Sequence, residues 1–232
     1  MKSIVYLIPS VLDEAAIQTI PVYIIDAIKN CQVIFAENER TARRFLKSIY
    51  KEIIIDNYEW FTIHHAEEEQ KNNFILKIKE GKNIAIISEA GCPGIADPGQ
   101  LLIETAQEMN VTIKPLVGPS SILLALMASG MNGQQFQFVG YLPIESNERI
   151  KTIKELEAES KKKNCTQIFI ETPYRNNQLF ETLLKNCNAS TRICIAAELT
   201  SPNEYIKTKK VSEWKNEKTD FHKKPVIFLL QA

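Results

Sequence analysis

Long apolar runs are missing from this chain. No stretch approaches the ~20 residues that a membrane-spanning helix needs. The opening segment "MKSIVYLIPSVLDEAAI" has too short an apolar core, broken by Pro9 and followed by Asp13 and Glu14, to read as a secretory signal. A cytoplasmic protein that crosses no membrane is expected. Cysteine is scarce and odd in number: Cys31, Cys92, Cys165, Cys187 and Cys194 stand at unrelated spacings without a CxxC pair, and His64, His65 and His222 are the only imidazoles. That pattern excludes a disulfide framework and zinc-ligand spacing, so no metal site is expected. Net charge is also absent, with 28 Lys+Arg against 28 Asp+Glu, which argues against a chain that grips nucleic acid over its whole surface. The balance hides an asymmetry: residues 1–117 carry 12 basic against 16 acidic residues, and residues 118–232 carry 16 against 12. The basic clusters Lys161–Lys163, Lys207/Lys209/Lys210 and Lys223/Lys224 in the second half read either as solvated surface lysines or as phosphate contacts.

What is present is an alternation. The β-rich runs "IVYLI", "VIFAE", "IIIDN", "NIAIIS", "VTIKPL", "FQFVGYL", "TQIFIE", "RICIAAE" and "PVIFLL" are separated by amphipathic stretches such as "TARRFLKSIYK", "HAEEEQKNNFILKIKEG", "GQLLIETAQEMN" and "SNERIKTIKELEAESKKK". This order predicts an α/β fold, and apolar runs without polar alternation predict mostly parallel sheets covered on both faces. Pro115, Gly118 and Pro119 interrupt the pattern at "KPLVGPSS", and a helix then begins at the hydroxyls of Ser120 and Ser121. Two α/β domains, residues 1–116 and 117–232, with a ligand cleft between them follow. Five strands end in loop chemistry, "YLIPS", "FAENER", "IISEAGCPG", "IFIETPYR" and "IAAELTSPNE". Ligands of open α/β sheets bind beyond the carboxyl ends of strands, so these segments are the candidates to share the cleft.

The densest of them is "SEAGCPGIADPG", residues 88–99, with Gly91, Gly94 and Gly99 beside the rigid turns Pro93 and Pro98. Neither GxGxxG nor GxxxxGK[ST] is present, which disfavours a dinucleotide fingerprint and a triphosphate loop. A tight strand-to-helix crossover explains Pro98-Gly99. A backbone that a ligand can approach closely explains the rest.

These residues carry a resemblance. "SEAGCPGIADPG" is similar to the S-D-A-G-T-P-x-I-S-D-P-G signature of the tetrapyrrole methylase superfamily, the class III S-adenosylmethionine methyltransferases. Within it the likeness is to the ribosomal small-subunit methyltransferase I group, which methylates a cytidine ribose 2′-oxygen in 16S rRNA. "LVGPSSILLALMASGM", "FVGYLP", "IFIETPYR", "AAELT" and "FAENERTARRFL" resemble further motifs of that group, in order over almost the whole chain. The resemblance implies S-adenosylmethionine as cofactor, held by Pro9, Glu89, Gly91, Ile95 and Ala96 from one domain and by Ser120, Ser121, Leu142, Thr172 and Ala197 from the other. Leu142 and Ala197 also read as ordinary core. Glu37, Arg40 and Glu198 match motif positions and are the expected catalytic, substrate-side residues, with Arg175 as a phosphate contact in substrate binding. Structural ion pairs are the alternative reading of these charges. Ribosomal RNA or the small ribosomal subunit is the implied partner, and a homodimer the implied assembly.

The chain departs from the pattern at several positions. The T-P-I-G-N-L loop of the ribosomal group is replaced by "PSVLDEA", the Asp and Thr of E-D-T-R are Asn38 and Glu39, the Asp of S-D-A-G is Glu89, and the His of S-P-H-R is Tyr174. Two further readings therefore stand beside the RNA methyltransferase: a methyltransferase of the same fold acting on a small molecule such as a tetrapyrrole, and a non-catalytic relative that keeps the cofactor.

Overall fold

A four-residue run such as Ile84–Ile87 has no polar face to give to water and is stable as a strand only with cover on both sides. The structure, a computed structural model, describes residues 3–63 and 67–232; His64 and His65, considered above as ligands, lie outside the described residues. The chain divides into two units, the first ending at Ser120 and the second beginning at Ser121. Among the described residues no helix is long and apolar enough to cross a membrane.

The first unit runs β1 (Ile4–Ile8), α1 (Ile24–Lys29), β2 (Val33–Ala36), α2 (Glu39–Ile49), β3 (Glu59–Thr62), α3 (Glu67–Lys79), β4 (Ile84–Ile87), α4 (Gln100–Glu108) and β5 (Thr112–Pro115). Its strands lie in the order β3-β2-β4-β1-β5, and every pair is parallel. All four residues of β4 are buried. Alternate side chains serve two cores: Ile34, Ala85 and Ile87 pack with Ile28, Phe45 and Leu46 on one face, and Phe35, Ile84 and Ile86 pack with Phe74 and Leu102 on the other. Each buried Ile, Leu or Phe side chain among them contributes about 1.5–3 kcal/mol. Asn38 starts α2 by accepting the backbone N–H groups of Arg40 and Thr41, the usual service of an amide at this position. Because the sheet is wholly parallel, Pro9, Glu37, Ser88 and Leu116 all follow strand ends on one side of it.

The segment "IIIDN" is not a strand. Ile55–Asn57 form a short 3-10 turn, and the strand comes later, where Val33 pairs with Glu59. Ile53 is spent instead as a buried filler of the core against Phe45 and Leu46.

The second unit runs α5 (Ser121–Ser129), β6 (Phe136–Tyr141), α6 (Ser146–Lys163), β7 (Thr166–Ile170), α7 (Asn176–Asn186), β8 (Arg192–Ala197), β9 (Tyr205–Lys210), α8 (Val211–Trp214) and β10 (Val226–Gln231). The strand order is β6-β7-β10-β8-β9. The expectation of mostly parallel sheets holds for the first unit and needs correction here. Only β6 and β7 pair in parallel, while β10 with β7, β10 with β8 and β8 with β9 are antiparallel. Residues 198–204 alone join β8 to β9, too short a link for a parallel crossover, so the two form a hairpin. β10 then enters between β7 and β8 from the opposite end. Its six buried residues give the same apolar run in either direction. The sheet packs a core around Trp214, Phe169, Phe228 and Phe180.

Candidate active site

In the first unit the carboxyl ends of β1, β2 and β4 are tied together by their own loops. Gly91 folds back beside the end of β1: Ser10 N–H donates to the Gly91 carbonyl at 2.8 Å and Gly91 N–H to the Ser10 carbonyl at 3.2 Å. The Ser10 hydroxyl donates to the Ser88 carbonyl at 2.8 Å, and the Ser88 hydroxyl to the Gly91 carbonyl at 3.0 Å. This doubled-back path places Gly91 at φ +73° and Gly94 at φ +82°, the left-handed region that favours glycine. Ala96 occupies it too, at φ 59°, and so carries strain that a ligand loop can hold.

Glu37 follows β2. Its N–H donates to the Ile87 carbonyl at 3.0 Å, and its Oε2 accepts the Glu89 N–H at 2.8 Å. Asn38 Nδ2 donates to Glu89 Oε1 at 3.3 Å. Two of the departures from the family pattern thus meet: an amide at 38 caps α2 as an aspartate would, and donates to the longer carboxylate at 89. Arg40 is exposed, and its guanidinium joins no ion pair among the described residues.

Asp97 braces the rest of the loop, its Oδ1 accepting the Gly94 N–H at 2.9 Å and the Gly99 N–H at 2.8 Å. Its Oδ2 is buried without a partner. Burial pushes the carboxyl pKa up, against the two backbone N–H groups that lower it. The folded protein therefore holds the proton more tightly than the unfolded chain, and this group's contribution worsens as pH rises from the ordinary 3.8 through the raised folded value. Asp97→Asn keeps the Oδ1 acceptor and removes the charge. The variant is expected to lose less stability than wild type across that window in melting curves; identical pH profiles would contradict it. Cys92 donates weakly to the Pro119 carbonyl at 3.4 Å, and burial raises its thiol pKa, so it serves as a tether and not as a nucleophile. Gly118 lies so close to Pro9 that an added Cβ would stand 2.1 Å from the proline Cβ.

In the second unit Leu142, Thr172 and Ala197 come to one end of the sheet, because Tyr141 pairs with Ile170 and Ala197 with Val226. Leu142 and Ala197 are buried in the core, which leaves them main-chain groups to offer a ligand. Thr172 is half-buried and donates its N–H to Glu171 Oε1 at 2.6 Å. The same oxygen receives Arg175 Nε at 3.0 Å and Nη2 at 2.7 Å, while Glu171 Oε2 is buried and unpartnered. Glu198 pairs with Lys224 at 2.7 Å and sits at φ 51°. Arg175 and Glu198 are therefore each half of an ion pair, whereas Glu37 and Arg40 join none among the described residues. Asn176, fully buried, donates to the Lys224 carbonyl at 2.7 Å and locks the loop before β10 against α7. The sequence offers no signal for this contact across 48 residues.

A parallel α/β unit whose strand ends carry an open glycine loop has its ligand site at that end of the sheet. The chain belongs to the tetrapyrrole (corrin/porphyrin) methylases, whose pattern it matches over residues 18–215. The match begins beyond the altered "PSVLDEA" segment. The chain is 33% identical over 180 residues to the ribosomal RNA small subunit methyltransferase I of Escherichia coli O157:H7, an alignment covering 76% of this chain and 62% of that protein. It is 32% identical over 219 residues to the protein of the same name from Bacillus subtilis (strain 168), covering 92% of this chain and 70% of that one. It therefore spans roughly two thirds of the length of these relatives. Among solved structures, the methyltransferase CobJ has a similar fold, with a TM-score of 0.67 at 15% identity, covering 100% of this chain and 94% of that one.

Proposed function

We propose that this chain transfers a methyl group from S-adenosylmethionine to a cytidine ribose 2′-oxygen of small-subunit ribosomal RNA, as a homodimer in the cytoplasm. The observation that carries the reading is the loop of residues 88–99: buried Gly91 and half-buried Gly94, both at positive φ, with no lysine or arginine among its residues. The residues present fit a cationic nucleoside ligand. Ile95, 53% exposed, offers an apolar surface, and the charged side chains of the loop are the carboxylates of Glu89 and Asp97. Pro9, Glu89, Gly91, Ile95, Ala96 and Ser120 of the first unit are assigned to it. Ser121, Leu142, Thr172 and Ala197 of the second are assigned to it by the family pattern.

The bound donor supplies a methyl carbon made electrophilic by its sulfonium. This chain's part is to hold the nucleophile in line and take its proton. Positioning contributes most of such a rate, and a ribose hydroxyl is a weak acid that benefits from a base. Glu37 is assigned that role: the Glu89 N–H fixes one oxygen, and among the described residues no ion pair holds the other. Arg40, exposed and in no ion pair among the described residues, is available for a phosphate. Glu198 and Arg175 keep their substrate-side assignment as members of oriented ion pairs.

Glu37→Gln retains an oxygen for the Glu89 N–H and loses the carboxylate. Its kcat is expected to fall by about 100-fold, within the range for removing a general base, with the donor Kd nearly unchanged; wild-type kcat would remove Glu37 from the mechanism. Calorimetric titration with S-adenosylmethionine and with S-adenosylhomocysteine tests the reading at its root. Saturable binding of both is expected, and binding of neither would overturn it.

A further inference from the structure

The first unit holds a pocket of about 310 Å³ next to the tied loops. Its lining includes a stripe of α2 at helical spacing, Thr41, Phe45 and Ser48, together with Leu12 and Ser88. Arg44 and Glu14 pair across its lining at 3.5 Å with exposed side chains. Such an exposed pair is weak and easily opened.

We infer that this pocket receives the unstacked base of the nucleotide being methylated. The inference rests on the RNA reading above and names where the acceptor is gripped. Three observations carry it. The volume is at the low end for small-molecule sites, about 300 Å³ upward, which gives room for one nucleoside and too little for a macrocycle with its acidic arms. The lining combines apolar side chains, among them Phe45 and Leu12, with the hydroxyls of Thr41 and Ser48, and its charged members are Glu14, Arg44 and Glu89. That is the composition suited to a ring with π-faces and a hydrogen-bonding edge. Finally, Ser88 and Glu89 belong to both the pocket and the tied loops, so a base seated there brings its ribose to the loop that binds Glu37. Bases of single-stranded RNA loops are splayed out and stacked on aromatic side chains in this way.

Ser48 is exposed on α2, so Ser48→Trp fills the pocket from its rim without touching the tied loops. The test compares wild type and variant for methyl transfer to unmodified small ribosomal subunits, alongside donor affinity by calorimetry and a thermal melt. Thr41→Phe fills the same space from the start of the helix and replaces Ser48→Trp if that variant melts early. The expected result is a fall in kcat/KM for the RNA of about tenfold or more, carried by KM, with the donor Kd within about twofold of wild type. Undiminished kcat/KM in the filled variants would overturn the inference, as would an RNA defect matched by an equal loss of donor affinity, which would give the pocket to the donor. Failure of the wild type to methylate the subunits is seen before any variant is compared, and would overturn the RNA reading and this inference together.

Discussion

Gly91→Val is expected to abolish binding of S-adenosylmethionine while both sheets remain folded. Gly91 is buried at φ +73° and exchanges two backbone hydrogen bonds with Ser10. An added Cβ would meet Leu12 Cδ2 at 3.4 Å and the Pro119 carbonyl at 3.5 Å, so room for one carbon exists. The conformation is the obstacle, since an L-residue there costs roughly 1–2 kcal/mol and a branched one more. The loop relieves that strain by turning Gly91 to negative φ, which breaks the Ser10 bridge and closes the open backbone. The sheet beneath is insulated, because β4 ends at Ile87. Calorimetry should show no binding, with melting lowered by only a few degrees; wild-type affinity in the variant would contradict the account of the loop.

Gly118→Ala is expected to have the larger effect on stability. Its new methyl would lie 2.1 Å from Pro9 Cβ and 2.3 Å from Pro9 Cγ, distances that no rotamer relieves because the pyrrolidine ring is closed on its own backbone. Either the end of β1 or the segment after β5 must move. Overpacking of this kind costs about 1–3 kcal/mol, and the move also pulls the Gly118 and Pro119 carbonyls away from Cys92 Sγ. The variant should melt several degrees lower and bind the donor less tightly. Gly133→Ala is the control: no atom lies within 4 Å of the added Cβ and its φ is ordinary, so its melting should match wild type. Equal melting of the two variants would show that the Pro9 contact carries no weight.

The sequence made much of this legible where local signals agree with tertiary ones. The run before residue 88 is a buried strand, and the stretch "SNERIKTIKELEAESKKK" coincides with α6, because periodicity and the turns at either end point the same way. Strand direction in the second unit was not legible. β8 and β10 are buried on both faces, and such runs read alike whether parallel or antiparallel. β9 was hidden by its lysines, which read as a charge cluster. It is an edge strand of the hairpin, where lysines guard an open ladder. At the site, residue types were legible and partners were not. Glu37 and Arg40 could be picked out from a motif, but the seat of Glu89 between Glu37 and Asn38 joins residues 51 and 52 apart. The ion-pair partners of Arg175 and Glu198, four and 26 residues away, likewise follow from the fold alone. Gly118 reads in the sequence only as a break in the pattern, since no local rule announces that Pro9 will lie against it.

The central claim is tested most directly by incubating the purified protein with methyl-labelled S-adenosylmethionine and small ribosomal subunits from cells lacking this gene, then mapping the label to nucleotide and atom. Label on the ribose 2′-oxygen of a single cytidine is the expected result. Saturable donor binding with no label in the RNA would contradict it and send the methyl group to a different acceptor.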